Sequence, residues 1–324
     1  MNTAMRKVRV LLILAPLLSV GQAQAVSLRI SYPAISPPST GTWMAQETGV
    51  FKKYGLDVQL IYISSSGTNV QALLGGSLDI ATAGSTGIVI AAARGAPLVT
   101  IAAAMNRAPV TLYVQPEITK IEELRGKSLA ISSFGSAGHA ITTLVLRKFG
   151  LEKDVTLRPV GGVPQRQAAF EQRVVAGMMT LVKPNVPARA LLNAADLDIP
   201  FGYSLFFVSR DYLLDHSDIV MRFLRGYIEG LAVMVHEKEK ALKILAKYLN
   251  RTDRPFLEEM YNIAKDHIDR VPRVDSRCIS TALEFSNIKG VNSETLSAQL
   301  IDNSFVDKLV KEKFIEKVFG KEVR

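Results

Sequence analysis

Apolar and polar positions along the chain recur in one order: strand, polar loop, helix. Leu28 to Tyr32 reads as a short strand, Pro33 to Gly41 as a Pro/Ser loop, and Thr42 to Tyr54 as a helix stopped by Gly55. Asp57 to Ile63 alternates as a half-buried strand does, Ser64 to Gly67 is the next polar loop, and a helix covers Val70 to Gly75. A third strand, Leu78 to Ala83, leads through Gly84-Ser-Thr-Gly87 into an Ala-rich helix ending at Gly95. The middle of the chain repeats the order with Lys127 to Ser132, Ser133 to Gly138 and His139 to Phe149, so the pattern predicts mostly parallel sheets flanked by helices. The biased stretch Ala91 to Ala104 reads as a small-residue helix packed on a sheet.

Two further features predict two lobes. Phe51-Lys-Lys-Tyr-Gly-Leu56 is echoed by Leu146-Arg-Lys-Phe-Gly-Leu151, and Gln71-Ala-Leu-Leu by Gln167-Ala-Ala-Phe, in register. Phe201 to Val208 is strand-like and is expected to return the chain to the first lobe. From Ser217 the period changes to helical, with Ile219, Val220, Phe223, Leu224, Tyr227, Ile228 and Leu231 on one face, so the C-terminal third is expected to form a helical layer.

The N-terminus alters the reading of the rest. Arg6, Lys7 and Arg9 precede an apolar run from Val10 to Val20, then Ala23-Gln-Ala25. This is a signal-peptide pattern with cleavage after Ala25, and the run is shorter than the roughly 17 to 25 residues of a membrane-spanning helix. The net charge of +9 loses those three basic residues on cleavage. The remaining surplus is interleaved with acidic residues, which reads as solvated helix faces rather than a nucleic-acid stripe. The single cysteine, Cys278, excludes an internal disulfide and lies far from any lipid-attachment position, and it is expected to be buried and inert. A freely diffusing periplasmic monomer is expected.

Catalytic signatures are incomplete. Ala83-Gly-Ser-Thr-Gly87 approaches the G-x-S-x-G nucleophile elbow, but Ala replaces its first glycine. His139, His216, His236 and His267 have no acid or cysteine at triad or metal spacing, so no metal and no cofactor is expected. The Ser/Thr/Gly loops are the remaining candidates. Each follows a strand and opens a helix, where free N–H groups can meet a carboxylate, sulfonate or phosphate, although Ser and Thr cap helices in proteins of every kind. Trp43 fits core packing or ligand stacking equally, and Lys183, after the apolar run Met178 to Val182, fits an anion contact or a solvated position.

These residues resemble a known family, the substrate-binding proteins of ABC importers for nitrate, sulfonate and taurine, including the NMT1/THI5-like and SsuA-like relatives. The resemblance is carried by Ala45-Gln-Glu-Thr-Gly-Val-Phe-Lys-Lys-Tyr-Gly-Leu56 and Ala72-Leu-Leu-Gly-Gly-Ser-Leu-Asp-Ile80, supported by Ile121-Glu-Glu-Leu-Arg-Gly-Lys127 and Asp302-Asn-Ser-Phe-Val-Asp-Lys-Leu309. It implies a type II periplasmic-binding-protein fold. Lobe 1 would comprise residues 26–111 plus 204–324 and lobe 2 residues 112–203, with hinges near Val110 to Val114 and Gly202 to Val208. It implies ligand contacts from Ser39, Thr40, Trp43, Ser65, Ser66, Ser85, Thr86, Ser136, Ala137 and Lys183, a small organic anion or heteroaromatic solute, and an importer permease with its ATPase as partners. Where the family carries Gly-x-Val-Asp-Ala this chain has Arg173-Val-Val-Ala-Gly177. The alternatives are the same fold serving a membrane sensor kinase, a hydrolase built on Ser85, or a pyrimidine-forming enzyme. The last needs a cysteine-rich motif that a chain with Cys278 alone does not supply.

Overall fold

The computed structural model describes residues 25–320 apart from Asp198. The signal peptide expected over residues 1–25 lies outside the described residues except for Ala25.

The first sheet is assembled from β1 (Val26–Tyr32), β2 (Leu56–Tyr62), β3 (Ala81–Ala83) and β4 (Leu98–Met105). β1 and β2 pair in parallel, and a parallel bridge from Ile30 to Ile80 joins β1 to the start of β3. The second sheet has the order β7-β6-β8-β5-β9, from β5 (Thr111–Val114), β6 (Ser128–Ile131), β7 (Thr156–Pro159), β8 (Gly177–Thr180) and β9 (Arg189–Asn193). β10 (Ser204–Ser209) then returns to the first sheet and lies between β3 and β4. Each sheet mixes directions: β10 runs antiparallel to both neighbours, and so does β5, while β6 is parallel to β7 and β8. Because β5 and β10 are paired on both sides, the chain crosses between the sheets at residues 106–110 and 199–203.

Within the first lobe, α1 (Thr40–Glu47), α2 (Val50–Lys53), α3 (Ser66–Leu74) and α4 (Ser85–Ala93) connect the strands, and α5 (Ala137–Lys148) and α6 (Val163–Glu171) do so in the second. Gly49, at φ +73°, divides the single helix expected from Thr42 to Tyr54 into α1 and α2. The internal echo is structural: Gly55 and Gly150 both sit at φ +68°, a left-handed position that costs glycine nothing, and each ends its helix before the following apolar residue.

After β10 come α7 (Arg210–Asp215), α8 (Ser217–His236), α9 (Lys238–Leu249), α10 (Arg254–His267), α11 (Arg277–Ser286), α12 (Ser293–Leu300), α13 (Ser304–Lys311) and α14 (Phe314–Phe319). The whole expected stripe of α8, from Ile219 to Leu231, is buried. It packs with Trp43, Met44, Phe51 and Phe206 into the largest core, while the other face of the first sheet is covered by α3, α4, α11 and α12. The second sheet has its own cores, one around Leu112, Leu129 and Ile141 and a smaller one around Phe170 and Met178.

One expectation fails here. Ala91 to Ala104 is not a helix: α4 ends at Ala93, Gly95-Ala-Pro97 turns the chain, and Leu98–Met105 is strand β4 with all eight residues buried. A strand covered on both faces has no polar alternation, so its run of alanines reads as a helix from sequence. At the departure from the family pattern, Arg173 takes φ +57°, the conformation that suits glycine.

Candidate functional site

The strand-to-helix loops of the two sheets face one another across a cavity of about 50 Å³. The first lobe contributes Pro33, Ala34 and Pro38 after β1, Tyr62, Ser64 and Ser66 around the start of α3, and Gly84 before α4. The second contributes Ser132, Ser136, Ala137 and Gly138 at the start of α5 and Gly162, Val163 and Arg166 at the start of α6, with Tyr203 and Ser204 closing the space beside the crossing. The lobes touch. A Cβ on Gly84 would lie 2.5 Å from Ala137 Cβ and 3.1 Å from its Cα, so glycine there lets the loops meet, and Gly162 sits against the Tyr62 hydroxyl.

Of the residues expected to contact ligand, Ser66, Ser136 and Ala137 line this cavity. Ser136 caps α5, its Oγ accepting from His139 N at 3.1 Å and donating to Ser133 O at 2.7 Å, while Ser132 Oγ donates to Ser136 Oγ at 2.8 Å. Ala137 and Gly138, in the first turn of α5, line the cavity at a position where backbone N–H groups have no partner within the helix. Ser65 is the cap of α3, accepting from Thr68 N at 3.3 Å, and Ser39 Oγ donates to Ala34 O at 2.6 Å. Thr40, Ser85 and Thr86 are fully buried and do not line the cavity, and their hydroxyls have no hydrogen-bond partner among the described residues. The Ser85 backbone N–H donates to Gly202 O at 2.8 Å, tying the start of α4 to the crossing. Trp43 is fully buried, stacked on Tyr248 at 4.5 Å and edge-on to Tyr32 at 5.8 Å. Lys183 is exposed and does not line the cavity.

Arg166, Tyr62, Tyr203 and Ser204 are cavity residues outside the expected set. Arg166 Nη1 donates to Met179 O at 2.9 Å while its Nε has no acceptor, and burial pushes the guanidinium pKa down. Burial pushes the Tyr203 hydroxyl pKa up. A signal for Arg166 was present: the in-register echo of Gln71-Ala-Leu-Leu and Gln167-Ala-Ala-Phe aligns Arg166 with Val70, a core residue, so a charge occupies an inward-facing helix position.

The nucleophile-elbow reading finds no chemistry at Ser85, whose Oγ meets no base among the described residues. His216, His236 and His267 are exposed, and His139, half-buried against Phe134 and Phe285, has its pKa lowered by burial and accepts from Gly135 N at 3.0 Å. Cys278 is buried, with its thiol pushed up to about 12.

Two α/β lobes, crossed twice by the chain and meeting over a cavity at their strand-to-helix loops, give this chain the periplasmic-binding-protein fold. The chain belongs to the NMT1/THI5-like family, which matches residues 36–241. It is 30% identical to the taurine-binding periplasmic protein of Escherichia coli over 222 residues, 64% of this chain and 67% of that one. It is 21% identical to the formylaminopyrimidine-binding protein of Halalkalibacterium halodurans over 232 residues, 68% of this chain and 70% of that one. The alkanesulfonate-binding protein SsuA of Xanthomonas axonopodis, solved with MOPS bound, superposes with a TM-score of 0.67 at 19% identity, over 86% of this chain and 94% of that one.

Proposed function

We propose that this protein captures a small organic anion or heteroaromatic solute between its lobes and delivers it, unchanged, to the permease and ATPase of an ABC importer. The observation that carries the reading is the interlobe cavity, one space walled by helix-opening loops of both sheets and bordered by glycines that permit contact. Relatives named for binding taurine, alkanesulfonate and formylaminopyrimidine support it. In this reading residues 1–25 direct export, the mature chain from Val26 works as a periplasmic monomer, and the moving bodies are residues 26–111 with 204–324 against residues 112–203. Ser66, Ser136 and Ala137 touch the solute together with Tyr62, Arg166 and Ser204.

The test is a thermal-shift screen of the chain from Val26 against sulfonates, nitrate, aromatic acids, pyrimidines and flavins. A ligand at 100 times its Kd adds about 2.7 kcal/mol to stability, so the binding class announces itself as a saturable rise in Tm, with the compound recovered intact. Steady consumption of a compound, abolished by Ser85→Ala, would replace this reading with an enzymatic one.

A further inference from the structure

Among the described residues lining the interlobe cavity, Arg166 alone carries a charge, and its residue is 8% exposed. Burying a cation without a counter-charge is unfavourable, and buried guanidinium groups are ordinarily paired with carboxylates. Here the ionisable groups that act on Arg166 are two tyrosines, Tyr203 and Tyr62. Its fork of five N–H donors is partly committed: Nη1 donates to the Met179 carbonyl at 2.9 Å, which fixes the plane of the group. Nε is buried with no acceptor. The edge of the guanidinium that carries Nε is therefore held in place with its donors unused, the edge that meets two oxygens of a planar anion side by side.

The surroundings add to this. Ala137 and Gly138 at the start of α5 and Val163 at the start of α6 line the same cavity, and helix N-termini carry partial positive charge. A purely structural brace between α6 and β8 would need the bond to Met179 and nothing more; it gives no reason for the second edge of a cation to be buried unpaired.

We propose that the solute taken by this cleft carries an anionic oxygen group, a carboxylate or a sulfonate, which docks on the Nε edge of Arg166 and supplies its missing counter-charge as the lobes close. The inference rests on the solute-capture reading above and narrows it from anion or heteroaromatic solute to anion.

Calorimetric titration of the whole mature chain with propionate, benzoate and ethanesulfonate, and with propionamide and benzamide as uncharged isosteres, tests it. The expected result is saturable binding of at least one anion and of neither amide. Arg166→Gln should then weaken that anion by about 30-fold or more, and Arg166→Lys, which keeps the charge but loses the fork, by less. The relative strength of the carboxylates and the sulfonate says which head group the fork takes. A readout on the ligand-free protein guards against misfolding: because removing an unpaired buried charge relieves a cost, Arg166→Gln should melt no lower than the parent protein. An amide bound as tightly as its acid, or an anion bound equally by parent and Arg166→Gln, overturns the anchor and leaves solute capture standing. Failure of the parent to bind any of these compounds, or any from the wider screen, overturns both.

Discussion

Asp269 lies where the chain leaves the first sheet. Its carboxylate accepts from the backbone N–H of Asn106 at 2.8 Å and from its side-chain amide at 3.0 Å, anchoring the first residue of the crossing to the C-terminal layer. Burial outweighs these bonds and the nearby Arg107, and with Asp275 also close the Asp269 pKa is raised from 3.8 to about 6. A carboxyl whose pKa is higher folded than unfolded holds more protons in the native state between those values, so stability falls as pH rises from about 4 to about 6. At about 1.4 kcal/mol per pH unit, and discounted for partial exposure, the loss is on the order of 2 kcal/mol. Asp269→Asn keeps an acceptor for Asn106 and removes the buried charge. It is expected to raise Tm by a few degrees at pH 7.5 and to flatten the profile between pH 4 and 6; a lower Tm at pH 7.5, measured by calorimetry, would show that the charge is needed there.

At the scale of elements, the contact between the lobes makes a sharper prediction. The start of α4 and the start of α5 meet at Gly84 and Ala137, and a Cβ on Gly84 would stand 2.5 Å from the Ala137 Cβ and 3.1 Å from its Cα. Backbone on the far side leaves no rotamer to absorb the clash, so Gly84→Ala must hold the lobes apart by about an ångström or strain both loops. Overpacking of this kind costs roughly 1–3 kcal/mol, and the cost falls on the closed form alone. Ligand affinity should therefore drop by about 5- to 150-fold while the ligand-free Tm stays within a degree or two. Equal loss in both measurements would mean that the two helix starts are in contact in every state. The sequence made these loops legible, because Ser and Gly clusters between strand and helix patterns mark turns wherever they fall. Their partners across the cleft were not legible. Ala137 in front of Gly84, or Tyr62 over Gly162, is a tertiary meeting of residues about 50 to 100 positions apart, which no local period encodes. Arg166 was legible only through the internal echo that aligns it with the core residue Val70; taken alone, an arginine in a helix pattern reads as solvated, and the fold shows that this one is buried. Strand β4 was misread because burial on both faces erases alternation, and the division of residues 42–54 into two helices turned on one left-handed glycine.

At the scale of the molecule, the proposed solute capture requires motion: a cavity of about 50 Å³ between the lobes is smaller than the roughly 300 Å³ or more of typical small-molecule sites, so the lobes would part to admit a solute. The two crossings at residues 106–110 and 199–203 are the short covalent links between the sheets, one held at Asn106 by Asp269 and the other at Gly202 by the Ser85 N–H. The Gly84–Ala137 contact allows the motion to be arrested. A disulfide requires Cβ atoms about 3.5–4.5 Å apart, so the pair Gly84→Cys with Ala137→Cys should bond about an ångström short of full closure. Native Cys278 does not compete, because it is buried and its thiol is pushed up to about 12. Oxidised in the absence of ligand, the double variant should give a smaller radius of gyration by small-angle X-ray scattering than its reduced form. It should also fail to take up any solute that stabilises the reduced protein, and reduction should restore both properties. Oxidised while loaded, it should retain the solute through dialysis. Identical scattering of the oxidised and reduced ligand-free forms would mean that the lobes do not part on their own, and the solute would then need some route to the cavity other than lobe opening.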